Sequence, residues 1–428
     1  MGILDLPIDL AYSLVVPAYD ESPETVERLL ESCDIDTLVT LVVNRGPESP
    51  ANIKINNNHL IDWALERSRG HQDVDVQGCV GHLCRYDDLP DVLLIDLNRD
   101  ENVIVGGVGR ARQMGCDLAV YLHNHGRIRS PWIHNTDSDS ILPESFFQDA
   151  DERYTEKSAL AMRVVRSFSE DPDLQSFGDL HDVATHMVVI GLERSRCPWA
   201  FWVGGCGISV SARAYMQCGG VPAYVRAEDG HLINIASKQG SIHRIYGDPV
   251  LVEARPISRP PAGFGTTIQS VRDGILEGKK ICATNPEVWP ATMALYGAIE
   301  ACVTQGLSVP VASAQATAQA GCPAIAKRIE GLIYEWVGPI DAMVQCMNAR
   351  DLYESIHLDL DLRKSRKAIM WPEYEPIPVM DVIRGNVWAG ASEAKTIKEA
   401  VDLVYATEAK VCSGDTGPLV WTDRLFPT

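Results

Sequence analysis

Ala11-Tyr12-Ser13-Leu14-Val15-Val16-Pro17-Ala18 is the stretch whose reading decides the fold. It is a short, apolar, β-branched run of strand length that stops at Pro17, the pattern of a strand buried in a parallel sheet. Asp20, Glu21, Ser22, Pro23 and Glu24 follow, then Val26, Leu29 and Leu30 at helical spacing, so a capped helix succeeds the strand. Thr37 to Val43 repeats the run and ends at Asn44-Arg45-Gly46-Pro47, after which Asn58 to Arg69 has helical periodicity. Val92 to Leu97 is a third strand. Ala119 to Leu122 or Trp132 to Asn135 is the fourth, with Arg110 to Cys116 helical between strands. Strand and helix in alternation predict a doubly wound α/β sheet. Ligands of such sheets sit beyond the carboxyl ends of the strands. The residues to interrogate are therefore Asp20-Glu21, Asn44-Arg45, Asn98-Arg99-Asp100 and Asp137-Ser138-Asp139. Any one of these ends, taken alone, is more often solvent-facing than functional.

The chain around this core has 428 residues, too many for one ordinary domain, so two packed units are expected. With 46% hydrophobic and 22% charged residues it is globular rather than disordered. Its 38 Lys plus Arg against 58 Asp plus Glu give −20 at pH 7, which argues against a nucleic-acid partner. A phosphorylated ligand would need local arginines, helix N-termini or a divalent cation to offset that field. No apolar window of membrane-spanning length occurs, and Met1-Gly2-Ile3-Leu4-Asp5 does not begin a signal peptide. The 12 cysteines are scattered without a Cys-x-x-Cys pair, so reduced thiols in a cytoplasmic protein are expected. Cys79 and Cys84, with His82 between them, are the nearest pair, and ordinary burial is the simpler reading there. Pro256 to Gly265, rich in proline and glycine, marks a boundary or loop, and residues 291 to 350 carry helical spacing. The expected division is an α/β domain over 1–275 and a mostly helical region over 276–428, the latter serving ligand binding or homo-oligomerisation.

Asp137-Ser138-Asp139 follows the short strand candidate Trp132 to Thr136. Two carboxylates two residues apart at a strand end can meet one hard cation, whose open positions accept diphosphate oxygens. The order of signals around them resembles the GT-A glycosyltransferases, most closely the family 2 enzymes. Val15-Val16-Pro17-Ala18-Tyr19-Asp20-Glu21 looks like that family's opening strand, and Gly107-Val108-Gly109-Arg110-Ala111-Arg112-Gln113 is similar to its Gly-x-x-x-Ala-Arg-Asn helix start. Asp137-Ser138-Asp139 stands where the family has Asp-x-Asp. Gly204-Gly205-Cys206-Gly207, Cys218-Gly219-Gly220-Val221 and Glu228-Asp229-Gly230-His231-Leu232 match its later segments in order, so the resemblance spans about residues 11 to 235.

The resemblance implies a GT-A fold and transfer of a sugar from a nucleotide-diphosphate sugar to a hydroxyl acceptor, a glycan or small molecule, with inversion. Asp137 and Asp139 would hold Mn²⁺ or Mg²⁺, with Asp139 the more direct ligand and His243 a third. Pro17, Tyr19, Glu21, Asn44, Arg112, Asp137 and Ser138 would shape the donor site, and Arg255 and Arg259 would flank a basic loop closing over the diphosphate. Asp229 would be the general base, with Glu228 beside it orienting the base or holding acceptor hydroxyls. Gly204, Gly205 and the ring of Trp202, with Trp199 near it, would face the acceptor. Acids at the start of a helix are also what the helix dipole favours, and both readings of Glu228-Asp229 can hold together.

Departures from the family pattern are specific. Val42-Val43-Asn44-Arg45-Gly46 stands where an acidic cluster normally contacts the base, which leaves uracil recognition open, and His231 replaces the third acid of Glu-Asp-x-Asp. Rival readings are a retaining GT-A enzyme, a non-catalytic nucleotide- or carbohydrate-binding protein, and an NAD-dependent oxidoreductase. The last rests on Val103-Ile104-Val105-Gly106-Gly107-Val108-Gly109, whose third glycine position is Arg112.

Overall fold

The computed structural model describes residues 2–195, 200–201, 204–225, 227–237, 239–255, 264–277, 282–284, 288–320, 377–378 and 397–412. Their Cα packing groups into two units that alternate along the chain. The first comprises Met1–Phe168, Val203–Glu253 and Arg259–Gly263, and the second Ser169–Trp202, Ala254–Ser258 and Phe264–Thr428. The segment Ser169–Trp202 thus groups with the C-terminal residues, where a single boundary at 275 assigns it to the first domain.

The first unit is α/β, built on a ten-stranded mixed sheet. Its strands are β1 (Tyr12–Ala18), β2 (Thr37–Asn44), β3 (Gly70–Val76), β4 (Cys79–Arg85), β5 (Asp91–Leu97), β6 (Trp132–Asn135), β7 (Ser140–Ile141), β8 (Ser158–Phe168), β9 (Ile208–Ser211) and β10 (Ser241–Glu253). They lie in the order β3-β4-β5-β2-β1-β6-β9-β8-β10-β7. The strands β5, β2, β1 and β6 run parallel, and β9 is antiparallel to both its neighbours. Its helices are α1 (Pro23–Glu31), α2 (Ala51–Arg67), α3 (Gly107–Asn124), α4 (Phe146–Glu152), α6 (Ala212–Cys218) and α7 (Glu228–Ala236). Helix α5 (Pro172–Arg194) belongs to the second unit.

Local chemistry explains these elements. Every residue of β2 is buried, as expected for a strand covered on both faces. Leu38 and Val42 of β2 and Leu93 and Ile95 of β5 share one core with Met114, Leu118 and Leu122 of α3. Helix α1 starts where Ser22 accepts from the Thr25 amide and Pro23 takes the first turn, both of which satisfy or remove orphan amides. Of the two fourth-strand candidates, Trp132–Asn135 is the strand, and Ala119 to Leu122 completes α3. Apolar residues there follow the helical period of α3, with Leu118, Ala119 and Leu122 buried, so a short apolar run alone misassigns them.

The second unit contains α5, α8 (Phe264–Leu276), α9 (Val288–Gln305), α10 (Val309–Ala320) and α11 (Ile397–Val411), with a two-stranded ladder of β11 (Cys282–Ala283) and β12 (Ile377–Pro378). Helix α5 begins at Asp171, whose carboxylate accepts from the amides of Asp173 and Leu174. It packs against α11, where buried His186 meets buried Glu408 at 2.5 Å. Among the described residues no helix is long and apolar enough to cross a membrane.

Candidate functional site

Strand order locates the crevice. From β1 the chain proceeds outward through β2 to β5 on one side, and β6 lies on the other side, so the order reverses between β1 and β6. The carboxyl ends flanking that switch point are Ala18, followed by Tyr19-Asp20-Glu21, and Asn135, followed by Thr136-Asp137-Ser138-Asp139. Ligands of doubly wound sheets bind at such a reversal. The Thr136 amide donates to the Val15 carbonyl, so β6 is held against β1 up to the residue before Asp137.

Arg112 of α3 is the centre of the site. Its side chain is 2% exposed, and Nη2 donates to Asp137 Oδ1 at 2.7 Å while Nε donates to Glu228 Oε1 at 3.1 Å. Burial opposes its charge, but the carboxylates of Asp137, Glu228 and Asp229 outweigh that penalty and hold the guanidinium above its ordinary range. The third nitrogen, Nη1, is buried without a hydrogen-bond partner. Burial pushes the Glu228 carboxyl up, against the downward pull of Arg112. Asp229, half-buried in the first turn of α7, accepts from the Gly230 amide at 2.7 Å. Ala227 immediately before α7 has φ 58°, a left-handed conformation that costs alanine roughly 1 kcal/mol. The chain carries that strain at the residue that aims Glu228 and Asp229.

Cys206 closes the cluster. Its thiol donates to Asp137 Oδ2 at 3.3 Å, and burial together with Asp137 and Asp139 pushes its pKa well up, so it stays a protonated donor. Gly205 stands against the ion pair. A Cβ there would lie 2.9 Å from Arg112 Nη2 and 3.0 Å from Asp137 Oδ2, so a larger residue would push the ion pair out of its present geometry. Gly109 has a similar role at the start of α3, where a Cβ would meet the Tyr224 carbonyl at 2.5 Å; its amide donates to that carbonyl.

Several predicted residues are engaged in holding the rim. Asn44 donates to the Ala18 and Val42 carbonyls, which ties the ends of β1 and β2 together. Asn57 of α2 accepts from the Asp20 amide and donates to the Asn44 carbonyl and to Asn98 Oδ1, linking three strand ends. Sequence reasoning missed Asn57; a buried polar residue on the inner face of an amphipathic helix is the signal that marks it. Pro17 is buried within β1, Tyr19 Oη bonds Ser49 Oγ at 3.4 Å, and Glu21 and Ser138 are buried beside their strand ends. Asp139 is half-buried, and Gly204 is half-buried next to Gly205.

His243 is not brought to this cluster. It is buried on β10 with Nε2 bonded to Ser158 Oγ at 2.6 Å and its ring edge-on to Trp132. The segment of β10 near Asp139 is Glu253, whose amide donates to the Asp139 carbonyl; Glu253 pairs with Phe168 and His243 with Ala161, which puts them about 23 Å apart along β8. A metal held by Asp137 and Asp139 therefore has no ligand in His243. Arg255 falls in the second unit. Trp199, Trp202 and Arg259 lie outside the described residues. The glycine-rich run Gly106 to Gly109 opens α3 without a strand before it, since β5 ends at Leu97 and Val103 to Val105 are irregular. It therefore lacks the strand-turn-helix context that dinucleotide binding requires.

No protein-family model matches the chain, and no curated protein matches it.

Proposed function

We propose that the first unit transfers a sugar from a nucleotide-diphosphate sugar to a hydroxyl acceptor, with inversion, on a GT-A-type scaffold. The observation that carries this reading is the meeting of Asp137 from the end of β6 and Glu228 from α7 on one buried arginine at the β1–β6 switch point. Three segments far apart in sequence supply the residue types such a transfer needs on both sides of the bond to be broken.

The donor set fits a hard cation. Asp137 is 42% exposed, Asp139 is half-buried, and both offer oxygen ligands, the kind Mn²⁺ and Mg²⁺ take. Bound there, the cation would neutralise the charge of the leaving diphosphate. Arg112 keeps one Asp137 oxygen oriented and adds a fixed positive charge beneath the carboxylates, in a site where preorganised charge is worth most. Asp229 takes the proton of the acceptor hydroxyl as its oxygen attacks the anomeric carbon, and Glu228, locked on Arg112, fixes the helix start that presents the base. Tyr19 and Glu21, following β1, line the donor side of the crevice.

Release of nucleoside diphosphate from UDP-, GDP-, CDP- and dTDP-sugars, with Mn²⁺ and a panel of sugar hydroxyl acceptors, tests this. Wild type turns over one donor class, and Asp229→Asn lowers the rate by about 10² to 10⁴ while donor binding is kept. Equal turnover by Asp229→Asn removes Asp229 as the base. An α-configured product from an α-linked donor, read by NMR, would replace inversion with retention.

A further inference from the structure

We propose that His71, Asp73 and His82 form a divalent transition-metal site of the zinc class, one that clips the outermost strand β3 to β4. In the antiparallel ladder Asp73 pairs directly with His82, and His71 lies two residues before Asp73. Residues directly opposite share a face of the sheet, as do residues two apart, so all three project from the same side. One ligand atom from each lies within 4.8 Å of the other two. His82 Nδ1 and Asp73 Oδ1 are hydrogen-bonded at 2.8 Å, and the two imidazole rings are 5.6 Å apart and nearly perpendicular.

The hairpin makes this arrangement dependable. Val74, Val76 and Leu83 are buried in the core on the opposite face, and a one-residue slip of register would turn them to solvent. Gln77 and Gly78, with φ of 54° and 82°, form the two-residue turn that fixes that register. His82 is buried and serves as the rigid anchor, whereas His71 and Asp73 are exposed. Zinc bonds of about 2.0 to 2.2 Å in a tetrahedral shell place ligand atoms roughly 3.3 Å apart, within reach of small side-chain rotations. Two imidazoles and one carboxylate favour zinc, nickel or copper over magnesium or manganese, so this site is chemically separate from the all-oxygen pair Asp137 and Asp139. Three protein ligands leave a fourth position for water.

The placement gives the clip a purpose. Strand β3 ends the sheet, and on its outer side the described residues make only an isolated bridge between Gly2 and Asp75. An edge strand is where a sheet opens or recruits another chain, and a cross-strand metal holds it closed.

Calorimetric titration of the full chain with Zn²⁺ alone, free of nucleotide, tests the site. One zinc per chain binds wild type, and its affinity falls at least about tenfold in His71→Ala and in Asp73→Asn, both exposed positions. It is retained in the Asp137→Asn, Asp139→Asn double variant, which separates this site from the proposed donor site. Zinc also raises the melting temperature of wild type but not of His71→Ala. Absence of binding to wild type, or equal zinc affinity in wild type, His71→Ala and Asp73→Asn, would overturn the proposal.

Discussion

Arg112 and His82 each hold an aspartate in the same unit, yet the two pairs do opposite work. At the middle of the sheet Arg112 is 2% exposed and shared between Asp137 and a Glu228 that is itself 5% exposed. At the sheet's edge His82 is 9% exposed, but its partner Asp73 is 76% exposed and faces water. Where both partners are buried, neither can be removed without stranding a charge. Where one is solvated, the pair contributes little to stability and is free to exchange its partner for a metal. The difference lies in the solvation of the second group, since the contact distances are alike.

The largest effect is expected for Arg112→Met. It leaves Glu228 buried without its cation, and stability should fall by about 3 to 5 kcal/mol in urea melts. Asp137→Asn, whose position is part-exposed, should cost clearly less. An Arg112→Met loss below about 1 kcal/mol would mean that water reaches Glu228 and that the central pair behaves like the edge pair.

A further buried ionisable group of the central sheet is His134. It lies on β6 three residues before Asp137, bonded through Nδ1 to Ser209 Oγ at 2.7 Å and packed between aromatic rings, with Nε2 buried and unpartnered. Burial lowers its pKa to about 3, below the unfolded value near 6.5. The native state therefore binds fewer protons, so the stabilising contribution is complete above pH 6.5 and is lost as pH falls toward 3. The slope is about 1.4 kcal/mol per pH unit from this one group. Urea midpoints at pH 7 and pH 5 should drop further for wild type than for His134→Gln.

The smallest effect is expected at the edge. Asp73→Ala should change stability by less than about 1 kcal/mol in metal-free buffer, because its carboxylate is solvated and the pair is screened. A larger loss would show that the His82–Asp73 bond is structural.

Much of the central sheet was legible because its strands are continuous apolar runs. The β1, β2 and β5 runs stop within a residue or two of the observed ends, and Asp137 follows β6 as the alternation requires. The hairpin β3–β4 was missed. One of its faces carries the polar residues His71, Asp73 and His82, and only Val74, Val76 and Leu83 on the other signal the alternation. At the candidate site, Arg112, Asp137, Glu228 and Asp229 could be named from order along the chain, but the meeting of Asp137 and Glu228 on the Arg112 guanidinium depends on how α3, β6 and α7 pack. Asn57 carries no motif, and Cys206 stands in the Gly204–Gly207 segment with nothing to mark its contact with Asp137, so only their neighbours reveal their roles. His243 was misplaced because sequence distance from Asp229 says nothing about which end of a long strand a side chain occupies.

We propose that the carboxylates around Arg112 serve a nucleotide-diphosphate ligand. Thermal shift with UDP, GDP, CDP and dTDP sugars, each with and without Mn²⁺, on wild type and Asp139→Ala tests it most directly. One nucleotide class should raise the melting temperature only when Mn²⁺ is present, by the equivalent of about 2.7 kcal/mol at 100 times its dissociation constant, and Asp139→Ala should abolish the gain. No shift with any nucleotide under any metal, or a shift that persists in Asp139→Ala, would contradict it.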